Sequence, residues 1–559
     1  MAPPDEPGGP VFAHAVASFE PTSSAVLLWT RLGDEETSAA WVLSSDAALT
    51  DVVASGTAET SGERDHTIVV DVDGLEPATS YWYRFSAGGE DSPVGRTRTL
   101  PAGDVDRWRI GTVSCARFSI APLGVYRALA EREVDLVVHL GDYLYEDDGS
   151  QGPRTHDPAH TAITRDDYRR RLAQLRTDPD TQALHLRHPM FAIWDDHDLS
   201  DNAWREGAKH HDPSRDGPWS VRVAAAAEAR QEWLPARLRD PHDPQVIWRS
   251  IPIGELAELV LLDTRFTGRD LQAGDEGAPA LDDPARSLLG EAQRRWLRER
   301  LADVRRPWAI VANGVVVNSI ELPWPRALRT ARRFLPNGYA IIDGRVMHDD
   351  QWDGYPAERN RVARWIQARG QAGGRTVLLS ADVHSSWAFV GPYVAGSDEP
   401  VAVEFTTPAV ASAAMGRAHY PGIWRLLDDA VGELDHVCWA EVTERGYTIL
   451  DITPDEVSSE WWFVHPYDQD PAATAELGAR FVTARTPWPP SLRRQDEASG
   501  DPVRPGLPAP LPARPSDLPG LRRRRRVRLT AEGTGLTTAV AAALVGTAAV
   551  TRQVLRSRR

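Results

Sequence analysis

The stretch Phe191-Ala-Ile-Trp-Asp195-Asp196-His197-Asp198 runs apolar for four residues and then turns to acid, acid, imidazole, acid. It reads as a short buried strand with a polar cluster at its carboxyl end, the end at which open α/β sheets bind ligands. Three other runs finish in the same manner. Arg109-Ile-Gly-Thr-Val-Ser-Cys115 ends in a thiol. Val134-Asp-Leu-Val-Val-His-Leu-Gly141 is followed by Asp142-Tyr143-Leu144-Tyr145, and Thr376-Val-Leu-Leu-Ser-Ala381 by Asp382-Val383-His384. Four strand ends bearing Cys, Asp, Tyr and His predict one site, and no other part of the chain concentrates so many metal-ligand types.

Around these runs, strands alternate with helical stretches at Leu123–Glu133, Arg165–Arg176, Val221–Leu238, Leu288–Val304 and Ala357–Ala368, as in α/β layers. Further strands are expected at Glu258–Asp263, Trp308–Ala312, Val401–Phe405 and Tyr447–Asp451. Before them, residues 1–104 hold short β-branched and aromatic runs, among them Val11–Ala17, Ala25–Arg31, Ala39–Leu43, His66–Val72 and Ser80–Phe85, separated by turn signals. That spacing predicts a small immunoglobulin or fibronectin III-like sandwich. The α/β body is expected over 105–467, a Pro- and Arg-rich linker over 468–530, and an Ala/Val-rich segment with a basic end over 531–559. The polar insertions Gly149–Ala162 and Gly207–Gly217 are long enough to be lids or disordered.

Composition narrows the function. The 559 residues exceed one ordinary core. A formal net charge of −17 argues against a nucleic-acid-binding body. Two cysteines, Cys115 and Cys438, imply no disulfide framework. Lys209 is the sole lysine, which we take as codon bias. The start, Met1-Ala-Pro-Pro-Asp-Glu-Pro-Gly, shows no secretory signal, so a cytoplasmic protein is expected. The tail differs: ten arginines and one glutamate lie between Leu521 and Arg559. Arg522–Arg526 precedes the uncharged stretch Gly533–Thr551, about 19 residues, the minimum for a spanning helix. Contact with anionic membrane and a disordered basic tail are both open readings.

Carboxylates and phenolate are hard oxygen donors, imidazole is borderline and thiolate softer. A site offering all four suits two unlike metals, with ferric iron or zinc on the thiolate and phenolate side. Asp142, at a tight strand exit, is best placed to bridge, and Tyr145 can turn back towards the same metal. Two such metals can clamp an in-line phosphoryl displacement.

With Ser114-Cys115-Ala116, Gly141-Asp142-Tyr143-Leu144-Tyr145-Glu146, Trp194-Asp195-Asp196-His197-Asp198, Leu262-Asp263-Thr264-Arg265, Trp352-Asp353-Gly354-Tyr355-Pro356 and Ala381-Asp382-Val383-His384-Ser385 in order, the chain resembles the PhoD family of alkaline phosphatases and phosphodiesterases, within the calcineurin-like metallophosphoesterases. The start, His14 to Pro21 and Trp29-Thr-Arg31, resembles that family's small β domain. The resemblance implies a layered metallophosphoesterase β-sandwich flanked by helices, acting on a phosphate-ester substrate with Fe3+ and Ca2+. It implies Cys115, bridging Asp142, Tyr145 and His384 on the iron side. It places Asp196 and Asp382 on the calcium side, with Asn202 and Asn313 as further candidates. His197 would face the leaving oxygen and phosphate. Asp198 stands where the family more often has Glu.

Several side chains keep a plainer alternative. Tyr143 and Tyr145 are both candidates for the core. Asp195 is read as an orienter of ligands, His139 as a satisfied histidine within its strand, and His210 and His211 as solvated loop residues. Arg265 either holds phosphate or pairs internally with Asp263 or Asp353; Asp353 is also a weaker metal candidate. The rival to a hydrolase is a non-catalytic descendant of the same fold, acting as a metal- or phosphate-binding, membrane-associated scaffold.

Overall fold

A computed structural model describes residues 10–150, 152–321, 340–342, 345–414, 434–468 and 470–498. The basic tail and its uncharged stretch lie outside the described residues. Among those described, no helix is long and apolar enough to cross a membrane.

The fold is mixed α/β and built on two large sheets. The first has ten strands, in the order Arg493–Gln495, Glu476–Ala484, Glu456–Phe463, Gly446–Ile452, Trp108–Val113, Leu136–His139, Met190–Ala192, Val16–Phe19, Val26–Arg31 and Thr67–Val72. Its centre is parallel: His139 pairs with Val113 on one side and Ala192 on the other. Because the register is level, Cys115, Asp142 and Asp196 leave the sheet at the same edge. The second sheet has seven strands, in the order Arg249–Ile253, Ala257–Leu261, Trp308–Ala312, Arg375–Ser380, Val403–Thr406, Ser386–Val390 and Val437–Glu441. Leu261, Ala312 and Leu379 stand level in three parallel strands, which sets Arg265 and Asp382 just beyond that edge.

The central strands are apolar on both faces because both faces are covered, as parallel sheets require. One contiguous core joins Ile110, Val138 and Ile449 of the first sheet to Leu259, Ile310, Val377 and Phe405 of the second. Helices Gly124–Ala130, Arg165–Thr177, Pro179–Arg187 and Trp219–Trp233 add Leu129, Leu172, Leu184 and Trp233 to that cluster. On the other face of the second sheet, Val260, Val311 and Leu378 pack with Leu297, Leu301, Val362 and Ile366 of helices Gly290–Ala302 and Pro356–Gln371. In the first of these two helices the buried Gln293, Leu297 and Leu301 follow the four-residue spacing of one helix face.

Three expectations change. The first hundred residues are not a detached sandwich. Val16, Val26, Leu28, Leu43, Tyr83 and Phe85 do form a core between two layers. One of those layers is the end of the ten-stranded sheet itself, joined where Phe19 pairs with Met190, and the run from Val11 begins as a turn before the strand Val16–Phe19. Nor does the body end at 467: Glu476–Ala484 pairs along Glu456–Phe463 and carries Arg493–Gln495 on its far side. The segment 470–498 is therefore sheet rather than linker. Last, the insertion 149–162 is pinned. The buried Arg171 guanidinium donates to the carbonyls of Asp147 at 2.8 Å, Pro158 at 2.8 Å and His160 at 3.1 Å, and to that of Tyr145.

Candidate metal centre

At the shared edge the backbone takes conformations that side chains normally avoid. Cys115, Asp142, Asn202, Asp382 and His384 have φ of 58°, 55°, 52°, 65° and 51°. Non-glycine residues adopt this left-handed region rarely, and such strain gathers at functional sites. Gly141, with φ 103°, has no alternative: a Cβ there would lie 2.5 Å from the Asp195 backbone nitrogen. The strand exit to Asp142 thus depends on glycine at that position.

Buried Asp198 fixes the loop. Its carboxylate accepts the backbone N–H of Asp142 at 2.8 Å, Tyr143 at 2.9 Å, Leu144 at 3.2 Å and Asp195 at 2.9 Å. Burial nevertheless raises its pKa to about 6. The result is that Asp142 and the Asp195–Asp196 turn are held against each other.

The side chains then fall into overlapping groups. Cys115, Asp142 and His384 place ligand atoms within 4.8 Å of one another, and so do Asp142, Asp195, Asp196 and Asp382. A third such group is Asp142, Asp196 and His197. Asp142 is common to all three. Tyr145 joins the first group: its hydroxyl donates to Asp142 Oδ2 at 2.8 Å and lies 3.2 Å from His384 Nε2. Ser412 donates to that hydroxyl at 2.7 Å. His384 Nδ1 lies 3.0 Å from the Ala413 carbonyl, which acts as acceptor and leaves Nε2 turned to the cluster. Burial, and His197 nearby, lower the His384 pKa to about 4, so the ring is neutral and fit to ligate.

The electrostatics are lopsided. Burial and neighbouring carboxylates push Asp142, Asp195 and the Cys115 thiol well above their ordinary values, and Asp382 to about 7. Asp196 goes the other way: burial raises it, but Arg265 and His197 outweigh that and hold it below the usual carboxylate range. Its Oδ1 is buried without a hydrogen-bond partner. Thiolate, phenolate and carboxylates packed this closely ionise together only where cations sit among them.

His197 is gripped from behind. Its Nδ1 lies 2.8 Å from Glu146 Oε2, and the other Glu146 oxygen accepts the Asp201 N–H at 2.8 Å. Burial disfavours the imidazolium, yet Glu146, Asp196 and Asp142 together raise His197 well above the usual histidine value. Its ring lies 4.3 Å from that of Tyr145, tilted by 32°.

Other assignments resolve differently. Arg265 has no exposed surface. It pairs with Asp195 and, at 2.7 Å, with Asp350, while Nη2 lies 3.3 Å from Asp382 and 3.6 Å from Asp196. Enclosed in this way it acts as an internal cation, and its partners are Asp195 and Asp350. Asp263 instead caps its own turn, accepting from the Arg265 and Phe266 N–H groups at 2.9 and 3.0 Å. Asp353 pairs with Arg359 at 2.5 Å. The Asn313 amide donates to the Leu379 carbonyl at 2.8 Å and accepts from the Trp352 indole at 3.1 Å, so both of its groups already brace the fold. Asn202 sits at the site through its backbone, its N–H donating to Asp196 Oδ2 at 2.6 Å. Tyr143 is the core tyrosine of the pair, hydrogen-bonded at 2.9 Å to His185. His139 meets Tyr126 at 2.7 Å within the core, and His211 packs against Trp219 at 5.0 Å rather than standing in solvent.

Glu146 closes the Gly141–Glu146 motif that carries the family resemblance, but nothing in the sequence signals that it grips His197. Asp350 stands out in His348-Asp349-Asp350. Nothing local distinguishes Ser412 or Gln351, whose amide donates to Asp382.

Residues 110–461 match the family model for PhoD-like phosphatase, and residues 1–101 that for the PhoD-like phosphatase N-terminal domain. Alkaline phosphatase D of Bacillus subtilis (strain 168) is 31% identical over 501 residues, covering 84% of this chain and 80% of that protein. A solved structure of PhoD superposes with a TM-score of 0.73 at 28% identity, covering 90% of this chain and 95% of the other.

Proposed function

The chain belongs to the PhoD-like phosphatase family and is a phosphoester hydrolase, and on that premise we propose that it works through two metal ions held side by side in the acidic cluster. One observation carries the reading: Asp142 is shared between a Cys115–His384 group and an Asp195–Asp196–Asp382 group. Cys115, Tyr145 and His384 would hold ferric iron, Asp196, Asp382 and Asn202 would hold calcium, and Asp142 would touch both. Thiolate, phenolate and imidazole suit the first ion; oxygen donors suit the second. Asp196 Oδ1, buried without a hydrogen-bond partner, and the raised acids around it support the fit.

Bound there, the ions would supply Lewis-acid stabilisation of the phosphoryl group and orient the attacking nucleophile. His197 holds the proton. With Nδ1 committed to Glu146, Nε2 is left to donate to the departing ester oxygen, as a general acid does. Arg265 contributes fixed positive charge behind Asp196 and Asp382. In this reading the two facing sheets are the layered sandwich of a metallophosphoesterase, and the first hundred residues a fibronectin-like cover. A non-catalytic scaffold is not favoured, since the matching family is one of phosphatases.

The experiment pairs metal analysis with assays of mono- and diester substrates on one sample. Near one iron per chain, with calcium, and a visible phenolate-to-metal band are expected. A colourless, iron-free and fully active protein would overturn the iron assignment.

A further inference from the structure

The loop that leaves the acidic cluster carries Lys209, the one lysine among 63 basic side chains. Two contacts fix it to Asp201. Its backbone N–H donates to the Asp201 carbonyl at 3.0 Å, and its Nζ lies 3.1 Å from Asp201 Oδ2. Asp201 is itself tied to the acid-transfer residues: its N–H donates to one Glu146 oxygen at 2.8 Å, and the other holds His197 Nδ1. The ammonium therefore stands at the rim of the cluster, on the Glu146 side. Burial disfavours its charge, but Asp201, with Asp196 and Asp350 also near enough to act, holds its pKa above the usual lysine value.

The same surroundings leave it able to bind. The Lys209 side chain is 53% exposed, and Asp201 engages one of its three N–H groups, so two remain for a ligand. His210 Nε2, on a side chain equally open to solvent, lies 3.2 Å from the same Asp201 oxygen. Neighbouring arginines are less available: Arg265 and Arg269 have no exposed surface, and Arg117 pairs with Asp147 at 2.7 Å. Asp275 also feels the ammonium, but it is exposed and screened by solvent. An arginine at 209 would close its fork on both Asp201 oxygens. A lysine presents a point charge with rotatable N–H groups, a form that takes phosphate.

We propose that Lys209 is a specificity-determining residue that recognises a second phosphate on the leaving group, so that the substrates are esters whose departing alcohol is itself phosphorylated. The inference rests on the two-metal reading, which puts the scissile phosphoryl group in the cluster and His197 on its leaving oxygen. The leaving group then runs along the Glu146–Asp201 side of the cleft, where Lys209 is the exposed cation.

The test measures binding rather than turnover, by calorimetry on the full, metal-loaded chain with calcium in the buffer. The probes are propylphosphonate and propane-1,3-bisphosphonate, which carry one and two phosphoryl groups and cannot be hydrolysed. The bisphosphonate is expected to bind roughly five- to tenfold more tightly. Lys209→Met should cut that ratio to about two, the statistical factor for two equivalent ends, and Lys209→Arg should keep part of the preference. Damage to packing or to the metals weakens both ligands alike and leaves the ratio unchanged. A wild-type ratio of about two, or a larger one that Lys209→Met preserves, overturns the role of Lys209 and leaves the two-metal reading standing. Failure of both phosphonates to bind protein that holds its metals overturns the two together.

Discussion

At the scale of single residues, Asp142 and His197, 55 positions apart in the chain, do different work, and the difference is measurable. His197 sits in the field of Glu146, Asp196 and Asp142, which outweigh its burial and favour the charged ring. It belongs to proton transfer, so His197→Ala should keep both metals and lower turnover by roughly 10²–10⁴-fold. Asp142→Asn should lose metal as well as activity, because that carboxylate is shared by the Cys115–His384 group and the Asp195–Asp196–Asp382 group. Metal content and kcat of the two variants separate the roles; the reverse pattern would exchange them. Asp198 touches neither substrate nor ligand group, yet its oxygens take four backbone N–H groups. Removing a buried charged acceptor strands those donors. Asp198→Ala should therefore destabilise the metal-free chain by about 3 kcal/mol or more, read from denaturant unfolding.

At the scale of elements, the apolar runs were the readable part. Trp308–Ala312 stands where its five apolar residues put it, and the helix from Arg165 extends one residue past its expected end. Parallel strands buried on both faces announce themselves as continuous apolar segments. The strand Glu476–Ala484 did not, because its buried residues are interleaved with Gly478 and Arg480, and it lies beside a Pro-rich stretch. Helix Pro179–Arg187 carried a legible start, with the Asp178 side chain accepting from the Asp180 N–H at 3.0 Å and Pro179 opening the first turn, but only nine residues to follow it. Side-chain pairing across elements was the least legible: no local pattern ties Arg265 to Asp350, 85 positions away. The strand correction has a consequence. Glu476–Ala484 sets Ala479 and Phe481 against Trp461 and pairs Leu477 with Trp462. A chain ending at Tyr467 should be insoluble or markedly less stable, whereas one ending at Ala498 should fold, bind metals and turn over substrate. Soluble yield, melting temperature and activity of the two truncations decide it.

At the scale of the whole molecule, two sets of buried groups pull stability in opposite directions with pH. His14, His139 and His185 are buried neutral: burial holds the first two at about 3 and the third well below 6.5. Unfolding releases them to bind protons, so their contribution is complete above the unfolded value of 6.5 and is lost as pH falls from there towards 3. Asp142, Asp195, Asp198 and Asp382 act oppositely in the metal-free chain. Burial raises all four above 3.8, Asp198 to about 6 and Asp382 to about 7. Folding then resists their ionisation, so the cost is small near pH 4 and grows as pH rises; the share of Asp198 and Asp382 is complete above about 6 and 7, and Asp142 and Asp195 add to it in the same direction. Metal ions cancel this second set and leave the first. The metal-loaded protein should therefore lose stability below pH 6.5, at up to about 1.4 kcal/mol per pH unit for each histidine. The chelated protein should lose more to chelation at pH 8 than at pH 5.5. Thermal melts of both forms across that range measure the gap, and a gap that stays constant with pH would mean that the crowded acids do not carry the cost of the empty centre.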